Sequence, residues 1–354
     1  MLNYMLRRIL VLPLIMFIVT LILFFMIMQL PIEQRVAIYI PATGAQTGLD
    51  PEKSQDLVEN TIQKYGLDKP FPVQYVTWIK RLFIGKWGYS PTWKQPVLEG
   101  LLERIPSTAE LALTAFFPSI LLALVMGGIA GKYRGKWPDH LIRITAFILW
   151  AFPSFILGLL LMNVFYAWTG WFPPGRISIW ASPVIESESF ANFSGMYVLD
   201  ALLNGNLKIC LDAIRHLVLP AFTLAGAQWA LLTRIMRSSL IETLNKDYIK
   251  TARAKGLTEH RVVNLHARRN ALIPVISTGG VAVSLLLSLV VVIEAVFARN
   301  GIGNSAAEAI KFSDIPVAIG FAVFSCAVTV IASLIADLLY GLIDPRVRLT
   351  DTGR

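Results

Sequence analysis

Four histidines (His140, His216, His260, His266) and two cysteines (Cys210, Cys326) are the residues from which metal or thiol chemistry would be built. Their spacing builds neither. No pair follows HxxxH or HExxH, so zinc chemistry is not expected. Two cysteines cannot make a disulfide framework. No Ser/His/Asp constellation and no GxxxxGK[ST] phosphate loop occurs, so the chain is expected to be no enzyme and to bind no nucleotide itself. What remains is a set of polar residues inside apolar runs. Ser277, Ser284 and Ser288 are spaced by seven and four residues and share one helical face. Small residues on such a face serve helix packing more often than they line a pathway. Glu294, near the end of the same run, is costly in lipid and needs a partner or water. It is a candidate pathway or gate residue, or a brace for the turn Gly301-Ile302-Gly303, and the brace is favoured.

These residues must be positioned by elements that the composition already restricts. The chain has 354 residues, is 55% hydrophobic and only 16% charged, and has a mean hydropathy of +0.60. Soluble domains are about 25% charged. Much of this chain is expected to lie in lipid. Six stretches approach the ~20 residues needed to cross a bilayer core: 9–30, 109–131, 144–168, 216–236, 275–298 and 315–342. The first could pass for a secretory signal, but it is too long and is not followed by a small-residue cleavage site, so it reads as an anchor. The fourth is the most polar, with His216, Pro220, Gln228 and Arg234, and could instead be an amphipathic core helix. Aromatics around Pro153 (Trp150, Phe152, Phe155) are expected to pack rather than form a ligand cage. Trp171, Phe172 and Trp180 suit an interfacial belt.

Net charge is +9. With the N-terminus inside, the inner segments hold 18 basic and six acidic residues. The excess therefore follows the positive-inside rule and does not point to nucleic acid. Both termini are expected in the cytoplasm. The expected organisation is a cytoplasmic N-terminus and first span (1–30), an extracytoplasmic segment (31–108), a five-helix core (109–342) and a cytoplasmic tail (343–354). Within 31–108, turn chemistry at Pro41, Gly44, Gly48 and Pro51 precedes a helix from Glu52 to Tyr65. The core carries an outer insert at 169–215 and an inner segment at 237–274.

The inner segment is basic, helix-prone and too long for a simple connector. A helix over Ile241–Lys255 is expected to end at Gly256, which can take positive φ. Thr258 is a candidate N-cap for a second helix ending near Leu272, with Pro274 marking entry into the fifth span. Three readings of this projection stand: a basic loop that only fixes topology, a helix-turn-helix DNA reader (improbable at a membrane surface), and a docking knob for a cytoplasmic protein.

The residues of this segment also carry a resemblance. Tyr248-Ile249-x-Thr251-Ala252-Arg253-Ala254-Lys255-Gly256-Leu257, followed by His266-Ala267-x-x-Asn270-Ala271-Leu272-x-Pro274, is similar to the EAA loop of binding-protein-dependent ABC importer permeases, in the version of the dipeptide/oligopeptide/nickel group. Lys250-Thr251-Ala252 stands where the general motif has Glu-Ala-Ala. Further matches are Met5-Leu6-Arg7-Arg8-Ile9-Leu10, Tyr65-Gly66-Leu67-Asp68-Lys69-Pro70, Val73-Gln74-Tyr75, Gly88, Pro106-Ser107-Thr108-Ala109-Glu110-Leu111, Glu294-x-x-Phe297, Asp314-x-Pro316, Asp337-x-x-Tyr340 and Asp344-Pro345-Arg346. Asn300 replaces the Pro usual before the Gly-x-Gly turn, and Leu30-Pro31-Ile32-Glu33 lacks the usual Pro-Gly-Asp-Pro.

The resemblance implies an all-α integral membrane protein of the type I ABC importer fold, with six transmembrane helices and a small extracytoplasmic domain after the first. It implies the first-permease (B-type) subunit of an ATP-driven importer in a prokaryotic inner membrane. Di- or oligopeptides are the implied cargo, with nickel, an oligosaccharide or another small solute as alternatives. A stand-alone secondary transporter or channel is the rival class, but neither a repeat nor an intramembrane ion-coupling charge set is evident. The implied partners are a second permease subunit, two cytoplasmic ATPases, an extracytoplasmic binding protein and the bilayer. No cofactor is expected in this chain; ATP and Mg would sit on the ATPases. Thr251, Ala252, Arg253, Ala254, Lys255, Gly256 and Leu257 would form the ATPase-coupling surface. There Ala252 and Ala254 would pack in an ATPase groove, and Arg253, Lys255 and Arg261 would either pair with its carboxylates or serve topology alone.

Overall fold

A computed structural model describes residues 2–39 and 51–343. Pro41, Gly44, Gly48, Asp344-Pro345-Arg346 and the expected tail lie outside the described residues, as do the side chains of Ser284, Asp337 and Tyr340. The described chain is mostly helical and forms two compact units.

One unit comprises Leu10–Ser107 and Asn300–Val330. The apolar helix α1 (Leu2–Met28) enters it, followed by α2 (Ile32–Ala37), α3 (Pro51–Tyr65) and α4 (Phe71–Phe83). A short antiparallel pair, Tyr89–Ser90 with Gln95–Pro96, leads into α5 (Val97–Lys132). The helix expected from Glu52 is present one residue earlier. Phe24 of α1 packs edge-on against Phe71 and Tyr75, with Trp78 beside them. Thr20, inside the apolar run, spends its hydroxyl on the Met16 carbonyl and lies 2.9 Å from Tyr75 Oη. Arg81 lies over the Tyr39 and Tyr65 rings at 4.8 and 4.4 Å, a cation–π arrangement. Asp314 accepts from Ser90 Oγ at 2.6 Å and from Val317 N at 3.2 Å, so one carboxylate holds the hairpin and starts the last helix.

The other unit is built on Thr108–Arg299. It contains α6 (Trp137–Ala151), α7 (Ser154–Met162), a π-helical turn at Asn163–Trp168, α8 (Ser182–Ile185), α9 (Tyr197–Leu203) and α10 (Leu207–Leu244). After α10 come α11 (Asp247–Ala254), α12 (Glu259–Arg261), a π segment at Val262–Ala267 and α13 (Arg268–Val296). The chain then returns to the first unit with α14 (Ile302–Lys311) and most of α15 (Ile315–Ile343).

Three expected elements differ. The third span is not one helix: α6 and the segment Ser154–Trp168 meet at a bend of 101°. Pro153 is the cause. It lacks a donor and forces Phe152 to an extended φ −85°, ψ 131°, as the residue before proline must be. The fourth span is longer than expected, and its most apolar window is 61% buried, against 11–22% for the other long apolar helices. The most polar span is thus the central one, where His216 finds a partner in protein instead of lipid; the Gln228 amide is buried there without a hydrogen-bond partner. His216 Nδ1 lies 2.8 Å from the Asp212 carbonyl. Gly127 lets α5 approach α10: a Cβ there would meet the Thr233 carbonyl at 2.7 Å. Finally, Trp150, Phe152 and Phe155 do not pack into the interior; they are 42–49% exposed.

By length and composition, four described helices can cross a membrane, or five if the bent pair counts as one span. The helix α13 runs 29 residues through the expected fifth span.

Candidate functional site

The inner segment begins where α10 stops at Leu244. Asn245 caps it at φ −93°, ψ −3°, and Lys246 leaves helical geometry at φ −71°, ψ 151°. The expected continuous helix 241–255 is therefore two pieces. Asn245 favours a cap over a helix interior, and Asp247 supplies an acidic first turn to α11.

The turn at Gly256 forms as expected. Gly256 takes φ +77°, its N–H donates to the Arg253 carbonyl at 2.9 Å, and Leu257 N reaches the Ala252 carbonyl. A side chain there would meet no atom within 4 Å, so glycine is required by φ and not by crowding. Thr258 sits at the N-cap position but makes no side-chain cap bond. The following helix does not stop near Leu272. It passes through the π segment and Pro274 into α13, so the knob and the fifth span are one continuous rod.

The seven expected coupling residues divide by burial. Ala252 is 8% exposed and belongs, with Ile249, to a cluster that includes Val262, Ala267, Ala271 and Val275; Leu257 packs against it. In this chain Ala252 therefore holds the two knob helices together. Thr251, Arg253, Ala254, Lys255 and Gly256 are exposed. Arg253 forks onto Glu259, Nε to Oε2 at 3.1 Å and Nη2 to Oε1 at 2.7 Å. That bond holds the Glu259 carboxyl below, and the Arg253 guanidinium above, its ordinary range. Tyr248 and Asn270, from the two halves of the motif, are joined by Asn270 Nδ2 donating to Tyr248 Oη at 2.9 Å. Tyr248 and Leu265 leave apolar surface at the knob, 44% and 62% exposed. At its base Arg237 grips Asp139 of α6 at 2.6 and 2.8 Å.

Of the residues proposed for a pathway, Ser277, Ser288 and Glu294 have described side chains. Ser277 and Ser288 are exposed on α13, and Ser277 donates to the Ile273 carbonyl at 3.0 Å. Glu294 is fully buried and accepts from Thr108 Oγ1 at 2.6 Å.

Beside Glu294 lies a cluster that sequence reasoning missed. Glu110 Oε2 accepts from Arg299 Nη2 at 3.2 Å and from Arg176 Nη2 at 3.4 Å; its Oε1 accepts from Val198 N at 2.8 Å. Arg299 N donates to the Glu294 carbonyl at 2.9 Å, and Gly175 N to the Phe297 carbonyl at 2.8 Å. Arg176 also donates to the Gly195 carbonyl and lies 3.7 Å from the Tyr197 ring. Burial pulls Arg299 down to about 10, opposed chiefly by the Glu110 charge, so it stays protonated at neutral pH. Asp200 caps Ser194 and Gly195, and Asp212 binds Ser178 by both carboxylate oxygens. Glu110 of α5 and Asp212 of α10 thus lace the insert 169–215 to the long helices, and Asp200 ties the insert to itself. The available signal was a lone Glu at the mouth of one span and an Arg just past another.

The sequence matches the family described as binding-protein-dependent transport system inner membrane component over residues 119–349, and its N-terminal companion over 1–112. Among curated relatives, the chain is 39% identical to a probable D,D-dipeptide transport system permease protein DdpB of Escherichia coli (strain K12), over 87% of this chain and 89% of that protein. It is 37% identical to an oligopeptide transport system permease protein AppB of Bacillus subtilis (strain 168), over 84% and 87%. It is 36% identical to a di/tripeptide transport system permease protein DppB of Pseudomonas aeruginosa (strain UCBPP-PA14), over 81% and 84%. Matches that span both ends of the chain, together with its apolar helices and the exposed turn at Gly256, place it: this chain belongs to the family of binding-protein-dependent transport system inner membrane components, and is a multi-pass inner membrane permease.

Proposed function

We propose that this chain is the peptide-translocating permease subunit of an ATP-driven importer, working by alternating access. The names of its relatives support peptide cargo. The observation that carries the mechanism is the rod that joins the exposed turn at Gly256 to the fifth span without a break. A force on the turn is transmitted along α13 and not absorbed in a loop. Two cytoplasmic ATPases would supply it, a second permease would complete the pathway, and an extracytoplasmic binding protein would deliver the peptide. Six spans, with both termini and the knob in the cytoplasm, agree with the distribution of basic residues. The exposed faces of Ser277 and Ser288 are then available to the pathway or to the second permease, while Glu294 acts as a brace.

The membrane protein itself holds the ATP-independent part of the cycle, a two-state element that nucleotide on the partners biases. The test is reconstitution of the full complex with its binding protein. ATP-dependent uptake of a labelled dipeptide is expected, with no flux when the ATPases are omitted. Uptake of nickel or a sugar but not of peptide would discard the cargo. Flux through this chain alone would discard the mechanism.

A further inference from the structure

A groove of about 590 Å³ lies between α6 and α10 and is lined by His140, Arg143, Phe147, Trp150, Thr233 and Arg234, among others. Its charge is uneven. Arg237, at one end, is matched by Asp139. Among the described residues, neither Arg143 nor Arg234 has a carboxylate within ion-pair distance, although Asp139, one turn before Arg143, feels its charge. Arg234 lies over the Trp150 ring at 5.3 Å. The apolar wall is outward-facing: Phe147 is 73%, Ile144 57% and Trp150 49% exposed.

Each feature asks for a different part of one ligand. A guanidinium set into a bilayer-spanning surface is costly unless an anion meets it or it reaches the interface. Exposed aromatic and aliphatic side chains on a membrane-spanning helix face acyl chains. A free phosphate would satisfy the first and leave the wall bare; a neutral lipid would satisfy only the second.

We propose that this groove is a binding site for an anionic phospholipid, with its phosphate held by Arg143 and Arg234, its headgroup within reach of His140, and an acyl chain against Phe147 and Trp150. The site is distinct from the coupling turn and from the outer charge cluster, and it rests on the membrane reading of the chain alone.

The test uses the purified full chain in detergent, delipidated and then offered dioleoyl-phosphatidylglycerol or dioleoyl-phosphatidylcholine, with retained lipid counted by native mass spectrometry. Wild type is expected to retain the anionic lipid about 30-fold better, on the usual worth of two basic residues facing an anionic headgroup. Arg143→Gln with Arg234→Gln should remove that preference. Arg134→Gln with Lys136→Gln, an equal loss of charge on the neighbouring turn, should keep it. Equal retention of the two lipids, or a double arginine variant that binds as wild type does, overturns the proposal. Displacement of the lipid by inorganic phosphate at equal concentration would make this a free-anion site and also overturn it. So would a double arginine variant that retains lipid normally but fails to co-purify with the second permease, which would assign the groove to a subunit interface.

Discussion

Arg253 meets Glu259 at the inner turn with side chains 43% and 54% exposed, whereas Arg299 meets Glu110 with side chains 1% and 6% exposed. Both are arginine–carboxylate pairs in the same unit of the protein. Water screens the first, which contributes about 0.5 kcal/mol or less to stability. The second stands in a low dielectric with a second guanidinium, from Arg176, on the same carboxylate oxygen. Its members cannot be removed singly without leaving a buried charge uncompensated. The outer cluster thus fixes a shape, and the inner turn is free to be touched and moved. One region should fail in stability assays and the other in transport assays.

Glu110→Gln is expected to give the largest effect. It leaves Arg176 and Arg299 buried without their shared carboxylate, at a cost of about 3–5 kcal/mol. A thermal unfolding scan of the detergent-purified protein should show it; a change under 1 kcal/mol would mean that the cluster is hydrated and does not brace the insert. Ala252→Leu comes next. It forces a larger side chain between the two knob helices and should cost about 1–3 kcal/mol, with reduced uptake. Unchanged stability with lost uptake would instead place Ala252 on the partner surface that the sequence suggested. Gly256→Ala must hold a Cβ at φ +77°, a cost of about 1 kcal/mol. It should lower uptake modestly while the outer insert stays resistant to protease.

Arg253→Gln is expected to have the smallest effect on stability, under about 0.5 kcal/mol. Its signature is pH dependence. Because Glu259 titrates below its ordinary range in the folded protein, the pair stabilises the turn above that range. The contribution is lost as pH falls through the depressed value. Comparing proteolysis of wild type and variant at the turn from pH 7 to pH 3 should show the two converge at the acid end. Parallel curves would show that the pair contributes nothing.

The inner turn was legible because its signals are local: a helix former run, one glycine and a motif within about 25 residues. The break at Asn245 was missed because asparagine is only a weak helix breaker, and nothing nearby forces the chain out of helix. Pro153 was visible, yet a single span was expected across it; its effect on Phe152 follows from local sterics, but the 101° bend depends on what the two limbs pack against. The Glu110 cluster had no readable spacing, since its members are separated by 66 and 189 residues. The polarity of the fourth span is plain in the sequence, but its place at the buried centre of the unit depends on the neighbours that surround it.

The central claim is that the turn at Gly256 drives the fifth span. The most direct measurement is peptide uptake by the reconstituted complex carrying Gly256→Pro, with assembly checked by co-purification of the ATPases. Proline cannot adopt the positive φ or donate to the Arg253 carbonyl, a loss of about 3 kcal/mol or more confined to the turn. An assembled complex that hydrolyses ATP but imports at least about tenfold less peptide is the predicted result. Normal uptake by the assembled variant would contradict the account.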